Sequence, residues 1–264
     1  MGIIDIVGGV KIAVGYQFTF VMDKTTVNSK ISIAEPVTSL KYITIAECGE
    51  ELVDFRQACP NILLDRPRFQ YRREYLLRKS VAAKLHNATL SLPDGYRIAV
   101  IEGWRAPLIQ ERMYRAVWNI FETRNPEWSR TKLIRTVNRF TAPINKRVPP
   151  PHTTGAAVDV ALTDIEGTPM DVCSPFDTKN PHAFLTDVTG LSDLAAANRR
   201  ILSAALAAGG LTNYPSEYWH WSYGDQGWAY RTGAKAAIYG DITPEGWIAE
   251  PADVIDGPLV FHES

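Results

Sequence analysis

The chain has 264 residues, 45% of them hydrophobic and 22% charged, and a formal net charge of -1. That composition suits a globular protein with a substantial core, built as one large domain or two small ones. The near-neutral balance argues against nucleic acid or an anionic membrane as a partner. Cys48, Cys59 and Cys173 form no C-x-x-C pair, which fits a reducing compartment, with a Cys48–Cys59 disulfide as the minor reading for an exported protein. Asp5 and Lys11 break the apolar N-terminus, no signal-peptide pattern follows, and no apolar run reaches transmembrane length. The expected location is cytoplasmic.

Residues 10–46 alternate β-branched and polar side chains, the pattern of short strands or an extended arm. Residues 1–65 are therefore expected to form an N-terminal extension packed on a main domain at 66–240. Between Tyr71 and Leu90, the spacing of Leu77, Val81 and Leu85 predicts an amphipathic helix, with the Arg and Lys residues from Arg66 to Lys84 on its solvated face. Pro93-Asp94-Gly95 turns into a strand, YRIAVIEGW, and Pro107 opens a helix carrying Met113, Val117 and Phe121. A basic helix is expected from Ser129 to Phe140 and a buried strand at AAVDVAL. Ser192 or Asp193 should cap a long Ala-rich helix that stops at Gly209-Gly210. EYWHWSY reads as a strand, followed after a Gly-containing turn by WAY, and the acidic, Pro-rich tail 241–264 should wrap over the surface. Helices and strands mix without βαβ alternation. The expected class is α+β, a small and mainly antiparallel sheet flanked by helices.

Three segments carry chemistry. In His152-Thr153-Thr154-Gly155-Ala156-Ala157-Val158-Asp159, a reversal at Gly155 can bring the imidazole and the carboxylate to one point as Zn²⁺ donors, or as a plain hydrogen-bonded pair. Glu217-Tyr218-Trp219-His220 offers a third nitrogen donor with a carboxylate three residues before it. In a regular strand only residues two apart share a face, so Glu217 and His220 need a twist or bulge to converge. With three ligands and an open position, zinc lowers the pKa of a water, and Glu217 could take its proton; the bland alternative is a surface glutamate. In Glu102-Gly103-Trp104-Arg105, the arginine at a strand end could meet a developing oxyanion or simply pair with a surface acid. Trp219 and Trp221 flank His220 and could shield a metal from bulk water.

In this order the three segments resemble the zinc D-Ala-D-Ala dipeptidases, a family with a G-Y-R-P motif, then S-x-H-x-x-G-x-A-x-D, then E-x-W-H. Gly103-Trp104-Arg105 resembles the first; His152, Gly155, Ala157 and Asp159 match the second; Glu217, Trp219 and His220 match the third. Ser174-Pro175-Phe176-Asp177 resembles the family's substrate-binding segment, and the likeness runs over roughly residues 70–230. It implies one Zn²⁺ per chain on His152, Asp159 and His220, with Glu217 as general base. It also implies Arg105 at the tetrahedral intermediate, and Asp177 with Ser174 at the substrate, Asp177 holding the free ammonium. The implied reaction is hydrolysis of a small dipeptide, D-Ala-D-Ala foremost. The alternatives are a related D,D-carboxypeptidase or endopeptidase on peptidoglycan stem peptides, or a non-catalytic zinc module. Pro150 stands where the family has Ser, which removes a hydroxyl from the pocket, and Ala106 separates Arg105 from Pro107.

Overall fold

The structure, a computed structural model, describes Glu35, residues 37–177 and residues 180–262; the strand pattern read between residues 10 and 34 lies outside them. The described chain opens with α1 (Val37–Leu40), β1 (Thr44–Ile45), β2 (Leu52–Asp54), α2 (Phe55–Ala58), β3 (Leu63–Leu64) and β4 (Leu76–Arg78). The longer elements follow: α3 (Lys79–Leu90), β5 (Tyr96–Glu102), α4 (Pro107–Arg124), α5 (Arg130–Val137) and β6 (Ala157–Asp164). Then come α6 (Asp193–Ala208), β7 (Thr212–Asn213), β8 (His220–Ser222), α7 (Gln226–Thr232) and β9 (Ala236–Ala237). Ser129 and Ser192 cap α5 and α6 by accepting from the Lys132 and Ala195 amides, and Pro107 opens α4 where its missing N–H leaves nothing unpaired. Among the described residues, no helix is long and apolar enough to cross a membrane, and all three cysteines are unbridged.

Five strands form the central sheet in the order β3-β5-β6-β8-β7, antiparallel except for the β3–β5 pair. This is the expected α+β arrangement. On one face, Ile98 and Val100 of β5 and Val158, Val160 and Leu162 of β6 pack against Val81 and Leu85 of α3 and Leu202 and Leu206 of α6. Trp104, Ile109, Met113 and Val117 meet Leu133 and Val137 of α5 in a second core, closed by Phe69 and Leu259. The period of two along β6 sends Asp159 to the face opposite Val158 and Val160. On β5 the register shifts between Val100 and Glu102. That extra residue turns Glu102 out of the core-facing row of Ile98 and Val100 and onto the face of its cross-strand partner Asp159.

Three sequence expectations are corrected. The helix over 71–90 begins at Lys79. Leu76–Arg78 pairs instead with β2, and Leu77 keeps the four-residue rhythm because it too faces the core. EYWHWSY is strand only from His220 onward, since two tight turns close around Glu217, from its N–H to the Tyr214 carbonyl (2.9 Å) and from the His220 N–H to its own carbonyl (3.1 Å). Trp228-Ala229-Tyr230 lies in α7, which Asp225 caps by accepting from the Trp228 amide. Residues of the tail pack inward, setting Trp247 edge-on to Trp104 and Phe261 on Phe69.

Arg78, read as part of a solvated face, is fully buried. Its guanidinium donates to the carbonyls of Thr154 (2.8 Å), Glu50 (2.5 Å) and Gly240 (3.1 Å) and pairs with Glu47 at 3.0 Å. Replacing Arg78 with Met strands those carbonyls and should cost about 3 kcal/mol in a urea titration. A loss below about 0.5 kcal/mol would show that the bonds contribute little to stability.

Candidate metal centre

Pro151–Thr154 forms a single 3-10 turn that ends at Gly155, whose φ of 71° is the left-handed conformation and whose N–H closes the turn on the His152 carbonyl at 3.2 Å. A side chain at Gly155 would run into Leu52. Arg78 holds the turn from behind, its backbone N–H donating to the Gly155 carbonyl at 3.0 Å. The reversal expected at Gly155 is thus present, and it delivers His152 to the face of β6 that carries Asp159.

His152 is 6% and His220 7% exposed. His152 Nδ1 lies 2.8 Å from the Gly103 carbonyl. A carbonyl only accepts, so Nδ1 carries the hydrogen and Nε2 keeps a lone pair for a ligand. That Nε2 is 3.3 Å from one Asp159 carboxylate oxygen, and His220 Nδ1 is 2.9 Å from the other. His220 stands directly opposite Asp159 in the β6–β8 register, so the sheet itself places this pair. One donor atom from each of the three residues falls within 4.8 Å of the others. The two histidine–carboxylate spacings are close to the ~3.4 Å between donors around a tetrahedral zinc with bonds of ~2.1 Å, and two imidazoles with one carboxylate are a donor set zinc accepts. The residues fit the ion. Burial pushes the Asp159 carboxyl up, but His152 and His220 outweigh it and hold the group well below the usual carboxylate range. Burial likewise disfavours a charged His220, and Asp159 more than offsets it.

Glu217 is half-buried in the turn that leads into β8. Burial pushes its carboxyl above the ordinary value; His220 and Arg68 oppose the rise and Asp159 reinforces it. Arg105 anchors its backbone N–H on the His152 carbonyl at 3.1 Å. One terminal nitrogen donates to Glu102 (2.7 Å) and the other to Gln110 (2.6 Å), which in turn donates to Thr141 and the Ala142 carbonyl. Burial disfavours the Arg105 charge, and the Glu102 carboxylate more than restores it. The Tyr71 hydroxyl also donates to Glu102. Two buried atoms here, Arg105 Nε and Glu102 Oε1, have no hydrogen-bond partner among the described residues.

The structure therefore brings His152, Asp159 and His220 together, and the charges of Glu217 and Arg105 both register there. Ser174 and Asp177 lie on the loop before α6. The Ser174 amide donates to Asp171, its carbonyl accepts from Ser192, and Asp177 is exposed. Neither is among the three residues whose donor atoms come together. His182 is exposed, its ring edge-on to Phe176. Of the two tryptophans, Trp221 belongs to the main core, whereas Trp219 packs edge-on against Phe184 and Tyr218. Sequence reasoning missed Tyr71, Glu102 and Arg68. Glu102 could have been flagged by its place three residues before Arg105; the other two carry no local signal.

A family model described as D-ala-D-ala dipeptidase, of the M15 peptidases, matches residues 39–237. A D-alanyl-D-alanine dipeptidase of Synechocystis sp. is 27% identical over 246 residues, covering 80% of this chain and 100% of that protein. Another, from Escherichia coli (strain K12), is 21% identical over 170 residues, covering 64% of this chain and 76% of that protein. The solved LD-carboxypeptidase LdcB is similar at 16% identity with a TM-score of 0.37, over 70% of this chain and 72% of that one.

Gly155 generates a test that needs no assay. Gly155→Ala forces a left-handed side chain against Leu52, so unfolding in urea should show a loss of about 2 kcal/mol. Unchanged stability would mean that the turn relaxes and does not need the glycine.

Proposed function

The chain belongs to the D-Ala-D-Ala dipeptidase family of M15 peptidases and is a metallopeptidase, and within that family we propose a zinc-dependent dipeptidase that cleaves D-Ala-D-Ala into two D-alanines. The observation that carries this reading is the His152–Asp159–His220 group, two buried imidazoles and a half-buried carboxylate whose donor atoms lie within 4.8 Å of one another. One zinc ion per chain, held by those three residues, would supply Lewis-acid polarisation of the scissile carbonyl and an acidified water.

The chain's own groups then have distinct tasks. Glu217, its carboxyl raised above its ordinary value by burial, accepts a proton as the nucleophile forms and returns it to the departing amine. Arg105 stays charged, with both terminal nitrogens fixed by Glu102 and Gln110, and its unpartnered Nε–H is left to donate to the developing oxyanion. Asp177, with Ser174 on the same loop, takes the substrate ammonium and so limits cleavage to short peptides. A cytoplasmic site of action accords with the three unbridged cysteines.

The reading is tested by release of free D-alanine from D-Ala-D-Ala, with and without a chelator. Release should stop on chelation and return with zinc. Glu217→Gln should lower kcat by about 1000-fold while one zinc per chain remains bound. Near-normal turnover in that variant would remove Glu217 as the base. Glu102→Gln, which loosens Arg105 without touching it, should lower kcat by roughly 10- to 100-fold with zinc content and KM little changed. An effect on KM alone would show instead that Arg105 serves ground-state binding.

A further inference from the structure

Asp159 and His220 are placed by strand register, but Glu217 lies in the turn between β7 and β8, outside the ladder, and needs another means of being held. Asn213, the last residue of β7, stands opposite Trp221 at the base of that turn. Its side-chain nitrogen donates to the Glu217 carbonyl at 3.0 Å and to the His220 carbonyl at 3.1 Å. Carbonyls only accept, so the amide nitrogen must face them, and both of its hydrogens are used. The Glu217 carbonyl also takes the His220 N–H at 3.1 Å, and the His220 carbonyl takes the Tyr214 N–H at 2.9 Å. One side chain thus ties the backbone of Glu217 to that of a metal-ligand residue.

The Asn213 amide is itself oriented. Its oxygen accepts from the Thr186 hydroxyl, and an amide oxygen cannot donate, so the hydroxyl hydrogen is committed to that bond. Thr186 is fixed in turn, its N–H donating to the Pro215 carbonyl at 3.0 Å, while the Tyr218 N–H donates to the Phe184 carbonyl at 2.9 Å. Beneath this segment the buried Arg199 of α6 donates to the carbonyls of Val172 and Leu185, both at 2.6 Å. We propose that Asn213, oriented by Thr186, is a positioning residue for the general base, holding the Glu217 backbone at a set place relative to His220. This assignment rests on the reading of Glu217 as the base, and it supplies what the sheet register does not.

The test uses the full chain loaded with zinc, with Asn213→Leu and Thr186→Val, each close in size to the residue it replaces. Asn213→Leu should lower kcat on D-Ala-D-Ala by roughly 50-fold, with KM within about twofold of the wild type and one zinc per chain retained. Thr186→Val should lower kcat by roughly fivefold, and Thr186→Ser, which keeps the hydroxyl, should recover most of that loss. The discriminating measurement repeats Asn213→Leu in Glu217→Gln. A residue that acts through the base has little left to act on there, so the further loss should be less than about twofold. If Asn213→Leu does not fold, Thr186→Val in the same two backgrounds decides the question. Equal losses in both backgrounds would make the pair generally structural, and a loss reversed by excess zinc would assign it to His220; either result overturns the assignment. Near-normal turnover of Glu217→Gln alone would instead overturn the reading of Glu217 as the base.

Discussion

The Asp159 carboxylate sits between two imidazoles, 2.9 Å from His220 and 3.3 Å from His152, and the surrounding frame can be understood as the means of keeping it there. An isolated carboxylate away from water is costly, and nearby positive charge is what makes it tolerable. Each neighbour reaches Asp159 by a different route. His220 comes by strand register, one rung across the sheet. His152 comes by a turn that needs a left-handed glycine. Glu102 comes by a bulge that rotates it off the core face, and it brings Arg105 with it. The result is a row of Glu102, Asp159 and His220 across three adjacent strands, opposite the face that packs on α3 and α6.

This explains why the polar row and the apolar core do not compete. Along β6 the period of two assigns Val158, Val160 and Leu162 to burial and leaves Asp159 to the other face. A one-residue slip of β6 against β8 would exchange the two sets, placing a carboxylate in the core and a valine at the metal. The core therefore holds the register that the site requires. Arg78 extends the same logic to the turn, bonding both Thr154 and Gly155 from the side of α3.

Much of this was legible in the sequence, and the exceptions have identifiable causes. His152, Asp159 and the reversal at Gly155 could be read because a rigid prolyl approach, a glycine and an alternating strand are all local features. The α6 cap at Ser192 and the Pro107 start of α4 were readable for the same reason. The Glu217–His220 geometry was not, because β-propensity in EYWHWSY said strand while Pro215 and two turn hydrogen bonds produced a tight reversal. In that turn residues three apart close on one another, the His220 N–H donating to the Glu217 carbonyl, which a regular strand would not do. Arg78 and Arg68 misled for another reason. A run of cations reads as a solvated face, and only long-range partners such as the Thr154 carbonyl and the Trp219 ring show otherwise. Residues whose role depends on segments 70 to 190 positions away leave no trace in a local pattern.

The two unpartnered atoms beside the centre bear on whether it is built for chemistry or for structure. A buried N–H or carboxylate oxygen without a partner costs on the order of 1–3 kcal/mol, and native proteins carry few of them. Arg105 Nε and Glu102 Oε1 are both of this kind, and they belong to one ion pair whose other polar atoms each have a partner. A structural zinc module gains nothing from such an arrangement, since a neutral, well-packed pair would stabilise the same sheet at lower cost. A site that must meet charge developing on a substrate gains directly, because a donor already desolvated and oriented needs no reorganisation when that charge appears. The Tyr71–Glu102–Arg105–Gln110 chain therefore suits the oxyanion role proposed for Arg105, and it is its place beside the His152–Asp159–His220 group that sets it apart from buried unpartnered atoms elsewhere, such as Arg115 Nε on α4.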